Sequence, residues 1–302
     1  MNVLIIGATG YLGTSIAEAV VRHGYQVTAT ARSPHAAETL RARGYAVVDA
    51  DASNPRSLFG PARASDAIVY CVNVTGADQF AVDTHALTQL VEAAKHSPKR
   101  IAYTSGVWIY GSTGDAPAGE DAPHFPATLV ARRPELERIV LASAHEGVLA
   151  TVVRPGIVYG RNGGIPEMFV TSARERGAAT IVGDGTNHWP AIHVDDLGEL
   201  FALALERAPI ASIYNAADDS AFTVREIAEA ASRGAGKNGA TTLLPLEQAR
   251  AVMGDFAEAL ALDQRISSAH ARAELGWKPN APSIVEDLER GSYATTQTPA
   301  GG

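Results

Sequence analysis

The chain has 302 residues, 46% of them hydrophobic, and a net charge of −8. This suits one large domain plus a smaller lobe, while an acidic balance without a long basic block argues against nucleic acid or an anionic membrane as a partner. A single cysteine, Cys71, excludes an intramolecular disulfide framework and fits a reducing cytoplasm; no CxxC or HExxH spacing points to a metal, and no apolar run nears the roughly 20 residues of a membrane span.

Val3 to Ile6 is a run of four apolar residues, the pattern of a strand buried on both faces. Gly7, Gly10 and Gly13 follow at three-residue spacing, and from Tyr11 to Val21 the pattern becomes an amphipathic helix. Strand, glycine turn and helix start together make an anion site. The glycines admit a pyrophosphate close to the backbone, and the free N–H groups and helix dipole meet its charge. In that context the triplet predicts a dinucleotide site.

The second strand, Tyr25 to Thr30, ends in Thr30-Ala31-Arg32-Ser33. NAD-selective sites carry an acid there. An arginine beside a hydroxyl instead suits a 2′-phosphate, so NADP(H) is expected in preference to NAD(H). Tyr45 to Val48 gives a third strand, followed by Asp49-Ala50-Asp51, and Asn54-Pro55 opens a short helix. Asp66 to Cys71 is the fourth strand, 78–96 a helix, Arg100 to Thr104 the fifth strand, and Leu149 to Val153 the sixth, after a helix ending near His145. Cys71 reads as a small buried residue, since no paired histidine is apparent. The alternation predicts an α/β fold with a doubly wound parallel sheet of Rossmann type, whose ligands lie off the carboxyl ends of the strands. Residues 1–154 are expected to form the dinucleotide-binding domain. Residues 155–294 are mainly a substrate-binding lobe with segments returning to the first domain, and 295–302 a disordered tail.

The G-x-x-G-x-x-G spacing resembles the extended branch of the short-chain dehydrogenase/reductases, the NAD(P)-dependent epimerases, dehydratases and reductases. Four later segments resemble that branch as well: Arg154-Pro155-Gly156-Ile157-Val158-Tyr159-Gly160, Ile192-His193-Val194-Asp195-Asp196-Leu197, Tyr214-Asn215 and Gly276-Trp277-Lys278-Pro279. The resemblance implies cofactor contacts at Gly7, Thr9, Gly10, Tyr11, Leu12, Gly13, Arg32, Asp51, Ala52, Cys71, Val72, Asn73, Thr104, Arg133 and Pro155. Asp51 holds the position of the acid that binds the adenine amino group. His193 and Asp196 are expected to brace the lobe. By analogy, helices 78–96 and 127–145 imply a homodimer.

The catalytic pattern departs from that family. Its tyrosine and lysine belong within Phe125 to Glu137, which contains neither residue. If Glu137 matches the acid that ends the motif, Arg133 stands for the lysine and Leu129 for the tyrosine; shifted by one, Arg132 and Thr128 do. In Thr104-Ser105-Gly106-Val107-Trp108-Ile109-Tyr110-Gly111, Gly106 falls where the polarising hydroxyl belongs, with Ser105 and Thr104 adjacent. Trp189 takes the place of an arginine that grips the diphosphate of nucleotide sugars, which favours a smaller, partly apolar or aromatic substrate. Ser105, Tyr110, Arg133 and His188 are the candidate catalytic residues; Gly106, Trp108, Tyr159, His188 and Trp189 are candidate substrate contacts. The expected function is NADP(H)-dependent hydride transfer to or from a small carbonyl, enone or imine. The alternatives are a non-catalytic NADP(H)-binding sensor and a sugar-nucleotide epimerase or dehydratase with a non-standard acid.

Overall fold

The computed structural model describes residues 1–72, 79–95 and 98–294. The first half runs β1 (Asn2–Ile6), α1 (Tyr11–Arg22), β2 (Gln26–Ala31), α2 (Pro34–Ala42), β3 (Ala46–Asp49), α3 (Arg56–Ala64), β4 (Ala67–Tyr70), α4 (Gln79–Ala94), β5 (Arg100–Thr104), α5 (Arg133–Ala142) and β6 (Leu149–Pro155). The second half runs β7 (Ile157–Tyr159), α6 (Glu167–Arg176), β8 (Ala179–Val182), β9 (Ala191–His193), α7 (Val194–Arg207), β10 (Ser212–Ala216), α8 (Val224–Gly234), β11 (Thr241–Leu244), α9 (Leu246–Met253), α10 (Asp255–Leu260), α11 (Ala269–Leu275) and α12 (Ile284–Arg290).

The seven-stranded sheet has the order β3-β2-β1-β4-β5-β6-β10, and its strand pairs are parallel. Strand order reverses between β1 and β4, so the crevice for a ligand opens at the carboxyl ends of those two strands. Period-two alternation explains why the strands read as continuous apolar runs. Val3 and Ile5 enter one core with Ile16, Val20, Leu200 and Trp277. Leu4 and Ile6 enter the other with Leu58, Leu87, Leu90 and Val140. Each such fully buried side chain contributes about 1.5–3 kcal/mol of apolar burial.

Helices α1 and α7 pack unusually close. A Cβ on Gly198 would stand 2.7 Å from Ser15 Oγ, and that hydroxyl donates to Val194 O at 2.8 Å. Strand β10 extends the sheet beyond β6, and α7 and α11 cover the same face as α1, so segments after residue 155 return to the seven-stranded sheet. The remaining lobe has its own core, including Phe169, Ile181, Trp189, Ile227 and Leu288. Capping boxes of Thr223 with Glu226 and Ser283 with Glu286 set the starts of α8 and α12.

One element departs from the expected pattern. The helix expected over 127–145 begins only at Arg133; Thr128–Val130 is a separate 3-10 turn and Ser143–Glu146 another. Pro134 is the cause, because it has no N–H to donate back to Val130 O, so the i to i−4 ladder cannot run through it and it fits only the first turn of a helix. Leu129 therefore lies outside the helix. The predicted tail, 295–302, lies outside the described residues. Among the described residues no helix is long and apolar enough to cross a membrane.

Candidate active site

The phosphate end is made of backbone. Gly7 has φ 102°, a left-handed conformation costly to other residues, and a Cβ there would sit 2.7 Å from Cys71 O. A Cβ on Gly13 would collide with Gly7 O, so the start of α1 can lie against the end of β1 only with glycine at 13. Gly10 N–H donates to Gly7 O at 2.9 Å and closes the turn. Gly10 is also the N-cap of α1, yet no side chain caps that end and no acid occupies the first turn. Thr9 and Gly10 are exposed and Leu12 is half-buried. The loop thus presents an uncapped helix start to the crevice.

Tyr11 ties this loop to the lobe. Its hydroxyl donates to Gly160 O at 2.8 Å, and a Cβ on Gly163 would meet its ring at 2.8 Å. Tyr293 completes the knot: its hydroxyl accepts from Gly160 N–H at 2.7 Å and donates to Gly163 O. Burial pushes the Tyr11 hydroxyl well above its ordinary range. Cys71 is buried, its thiol donates to Ile6 O at 3.2 Å, and burial pushes the thiol up to about 12. That leaves it a packing residue under the loop. Val72 is half-buried; Asn73 lies outside the described residues.

At the adenosine end, Arg32 is exposed just beyond β2. The Ser33 hydroxyl is engaged as N-cap of α2, accepting from Ala36 N–H at 3.2 Å. A second guanidinium, Arg43, donates to Thr14 Oγ1 at 3.0 Å, one turn past Gly10. Nothing in the local pattern marked it, since the contact joins the end of α2 to α1. Asp51 uses Oδ1 to accept from Ser53 N–H at 3.0 Å, and Ala52 is buried.

The other end of the crevice is built on β5, β6 and α5. Thr104 Oγ1 is buried with no hydrogen-bond partner among the described residues, a hydroxyl open to a ligand at the strand end. Ser105 donates to Glu137 in a short hydrogen bond. Glu137 is clasped in turn by Arg154, Nε at 3.0 Å and Nη2 at 2.6 Å, and both residues are buried. Arg154 Nη1 donates to the Tyr110 hydroxyl at 2.6 Å, and Tyr110 donates to Asn215 Oδ1 at 2.8 Å. Glu120 closes the network by accepting from Asn215 N–H at 2.8 Å. Tyr110, expected as a substitute acid, is instead buried inside this frame; burial raises its pKa against the opposing pull of Arg154.

The two arginines at the start of α5 diverge. Arg132 is exposed, lies 3.5 Å over the Phe80 ring and pairs with Glu135 at 3.1 Å. Arg133 is half-buried and turns inward, its Nη1 3.4 Å from Ser105 O and against Gly106. Pro155, at the end of β6, brings its carbonyl within 3.7 Å of where a Cβ on Gly106 would stand.

The lobe residues are placed less accessibly than their sequence context suggests. Trp189 is 3% exposed, stacked on Phe169 at 5.5 Å, and donates its indole N–H to Leu260 O at 3.0 Å. It fills the lobe's core and presents no stacking surface to a substrate. Tyr159 is likewise buried, donating to Pro282 O at 2.7 Å with Asp218 at 3.2 Å. Trp108 is half-buried, edge-on to Phe256. His188 stands apart from Ser105 and Arg133 in contacts: its Nδ1 lies 2.9 Å from Asp263 Oδ1, and Arg265 Nη2 approaches the ring at 3.1 Å. Asp263 and Arg265 were not foreseen, being about 75 residues away in the chain.

These groups fit a dinucleotide: a cradle that a Cβ would fill, an uncapped helix start, and an orphaned hydroxyl at the far end. The human epimerase family protein SDR39U1 is 27% identical over 84% of this chain and 87% of its own. A Streptomyces 3-diazoavenalumate denitrifying reductase is 27% identical over 96% of this chain and 100% of its own. Among solved structures, human SDR39U1 (isoform 2) with NADPH superposes with a TM-score of 0.76 at 23% identity, covering 97% of this chain and 99% of that one. UDP-glucuronic acid 4-epimerase from Bacillus cereus, in complex with UDP-glucuronic acid and NAD, gives 0.80 at 19% identity, covering 97% and 98%. Residues 3–217 match the NAD dependent epimerase/dehydratase family, and the chain belongs to it.

Proposed function

We propose that this protein is an NADP(H)-dependent oxidoreductase acting on a small, partly apolar carbonyl, enone or imine. The observation that carries this reading is an intact phosphate cradle joined to a hydride end without the tyrosine and lysine of its family. Gly7, Gly10 and Gly13 would hold the pyrophosphate, Arg32 the 2′-phosphate, Asp51 the adenine, and Thr104 and Arg133 the nicotinamide end. When bound, the cofactor supplies or accepts the hydride. The preference for NADP(H) rests on Arg32 and on the absence of an acid at the end of β2. SDR39U1, a relative across most of the chain, has a structure with NADPH, and another full-length relative is named a reductase.

Calorimetric titration with NADPH and with NADH tests the reading. Micromolar NADPH binding with clearly weaker NADH is the expected result, and substrate screening by NADPH oxidation follows from it. Binding without turnover on any carbonyl, enone or imine would favour a sensor, the second reading that the missing dyad supports. No binding of either nucleotide overturns both.

A further inference from the structure

Gly106 lies in extended backbone, φ 172° and ψ 157°, which any residue adopts. Its lack of a side chain is therefore not a demand of the main chain. One group stands in the way of a Cβ: Arg133 Nη1, 2.8 Å from where that atom would be. The next nearest atom, Pro155 O, is at an ordinary 3.7 Å. The guanidinium occupies the volume that a side chain at 106 would fill. Among the described residues no carboxylate lies within ion-pair distance of Arg133; the buried Asp83 feels its charge, while Nη1 itself is turned to Ser105 O and Gly106 at the end of β5.

We infer that Arg133 binds the acceptor oxygen of the substrate, and that residue 106 is glycine to admit it. This rests on the hydride-transfer reading. Hydride reaching the carbon of a C=O, or the β-carbon of an enone, drives the π pair onto oxygen. The Arg133 N–H groups stabilise that oxyanion by hydrogen bonding and charge. A guanidinium keeps its proton, so water protonates the product. The same charge disfavours a protonated imine, which would bring a second cation against the first. The substrate class narrows to carbonyls and enones.

The test uses benzoate, an oxyanion on an apolar ring, titrated calorimetrically into the full-length protein with and without NADP⁺, alongside NADPH titrations. The variants are Arg133→Lys, Gly106→Ala and their combination, each checked for folding by thermal melting. Arg133→Lys keeps a cation for the ribose but loses the planar fork. It is expected to hold NADPH affinity within about threefold while weakening benzoate at least about tenfold, the size of one charge-assisted contact. Gly106→Ala should weaken benzoate comparably by displacing the guanidinium, and the double variant should lose no more than either single change, since both act on one contact. Benzoate affinity unchanged in both single variants, or absent from the wild type, overturns the inference. So does an NADPH loss in Arg133→Lys that matches the benzoate loss, which would assign the guanidinium to the ribose. If the wild type binds no NADPH, the hydride reading falls, while the cofactor-free benzoate titrations still decide whether Arg133 is an oxyanion group.

Discussion

One end of the cleft is lined by backbone, three glycines and a helix start. The other is lined by side chains from β5 and α5, namely Thr104, Ser105 and Arg133. A backbone site tolerates almost any neighbouring side chain but no Cβ at its glycines. A side-chain site can be rewritten one residue at a time over an unchanged frame. Here that frame is the buried group of Ser105, Glu137, Arg154 and Tyr110.

The sharpest way to break the comparison is Gly10→Asp. A Cβ at 10 would stand 3.2 Å from Gly7 O, tight but within reach of a small shift, so the fold should survive. The carboxylate would face the pyrophosphate, and calorimetry should show NADPH binding lost. Retained affinity would mean the phosphates lie elsewhere. Glu137→Leu tests the frame under the other end. It leaves Arg154 buried and unpaired, which costs about 3–5 kcal/mol and should appear as a large drop in denaturant midpoint. A change below about 1 kcal/mol would show that the frame is not structural.

Arg32→Ala sharpens the adenosine assignment. Losing a charge-assisted bond to phosphate costs about 1.5–3 kcal/mol, roughly a 10- to 150-fold weaker NADPH dissociation constant, with NADH little changed. Equal losses for both nucleotides would remove Arg32 from the 2′-phosphate. The smallest effect is expected far from the cleft. His23 places its two ring nitrogens 2.7 Å from Glu199 and Glu206, joining α1 to α7. Burial lowers its pKa, but the two glutamates outweigh that, and the net shift is upward. A raised folded-state pKa stabilises fully below the ordinary imidazole value near 6.5, and the contribution fades as pH rises through the folded value. For a partly exposed pair this amounts to under about 1 kcal/mol. The melting-temperature difference between wild type and His23→Gln should shrink as pH is raised above neutrality; a difference that grows would reverse the assignment.

Local pattern carried the first half of the chain. The run Val3 to Ile6, the glycine spacing and the alternating segments placed the first six strands and α1 to within a residue or two, because burial on both faces leaves a continuous apolar signature. What was not legible depends on partners distant in sequence. The Tyr110 hydroxyl meets Asn215 across 105 residues, and the Trp189 indole meets Leu260 across 71, so both aromatic residues read as exposed candidates when the fold turns them inward. The choice between Arg132 and Arg133 was open for a related reason. Neighbouring residues on a helix point about 100° apart, and only Pro134 and the helix start it imposes settle which one faces Gly106.

The knot of Tyr11, Gly160, Gly163 and Tyr293 has a consequence for biosynthesis. Strand β1 and its glycine turn are synthesised well before Tyr293, yet the loop that packs over Tyr11 is bonded by that tyrosine. A nascent chain halted before residue 293 holds the whole parallel sheet sequence but lacks that brace, with the Gly160 N–H left without its partner.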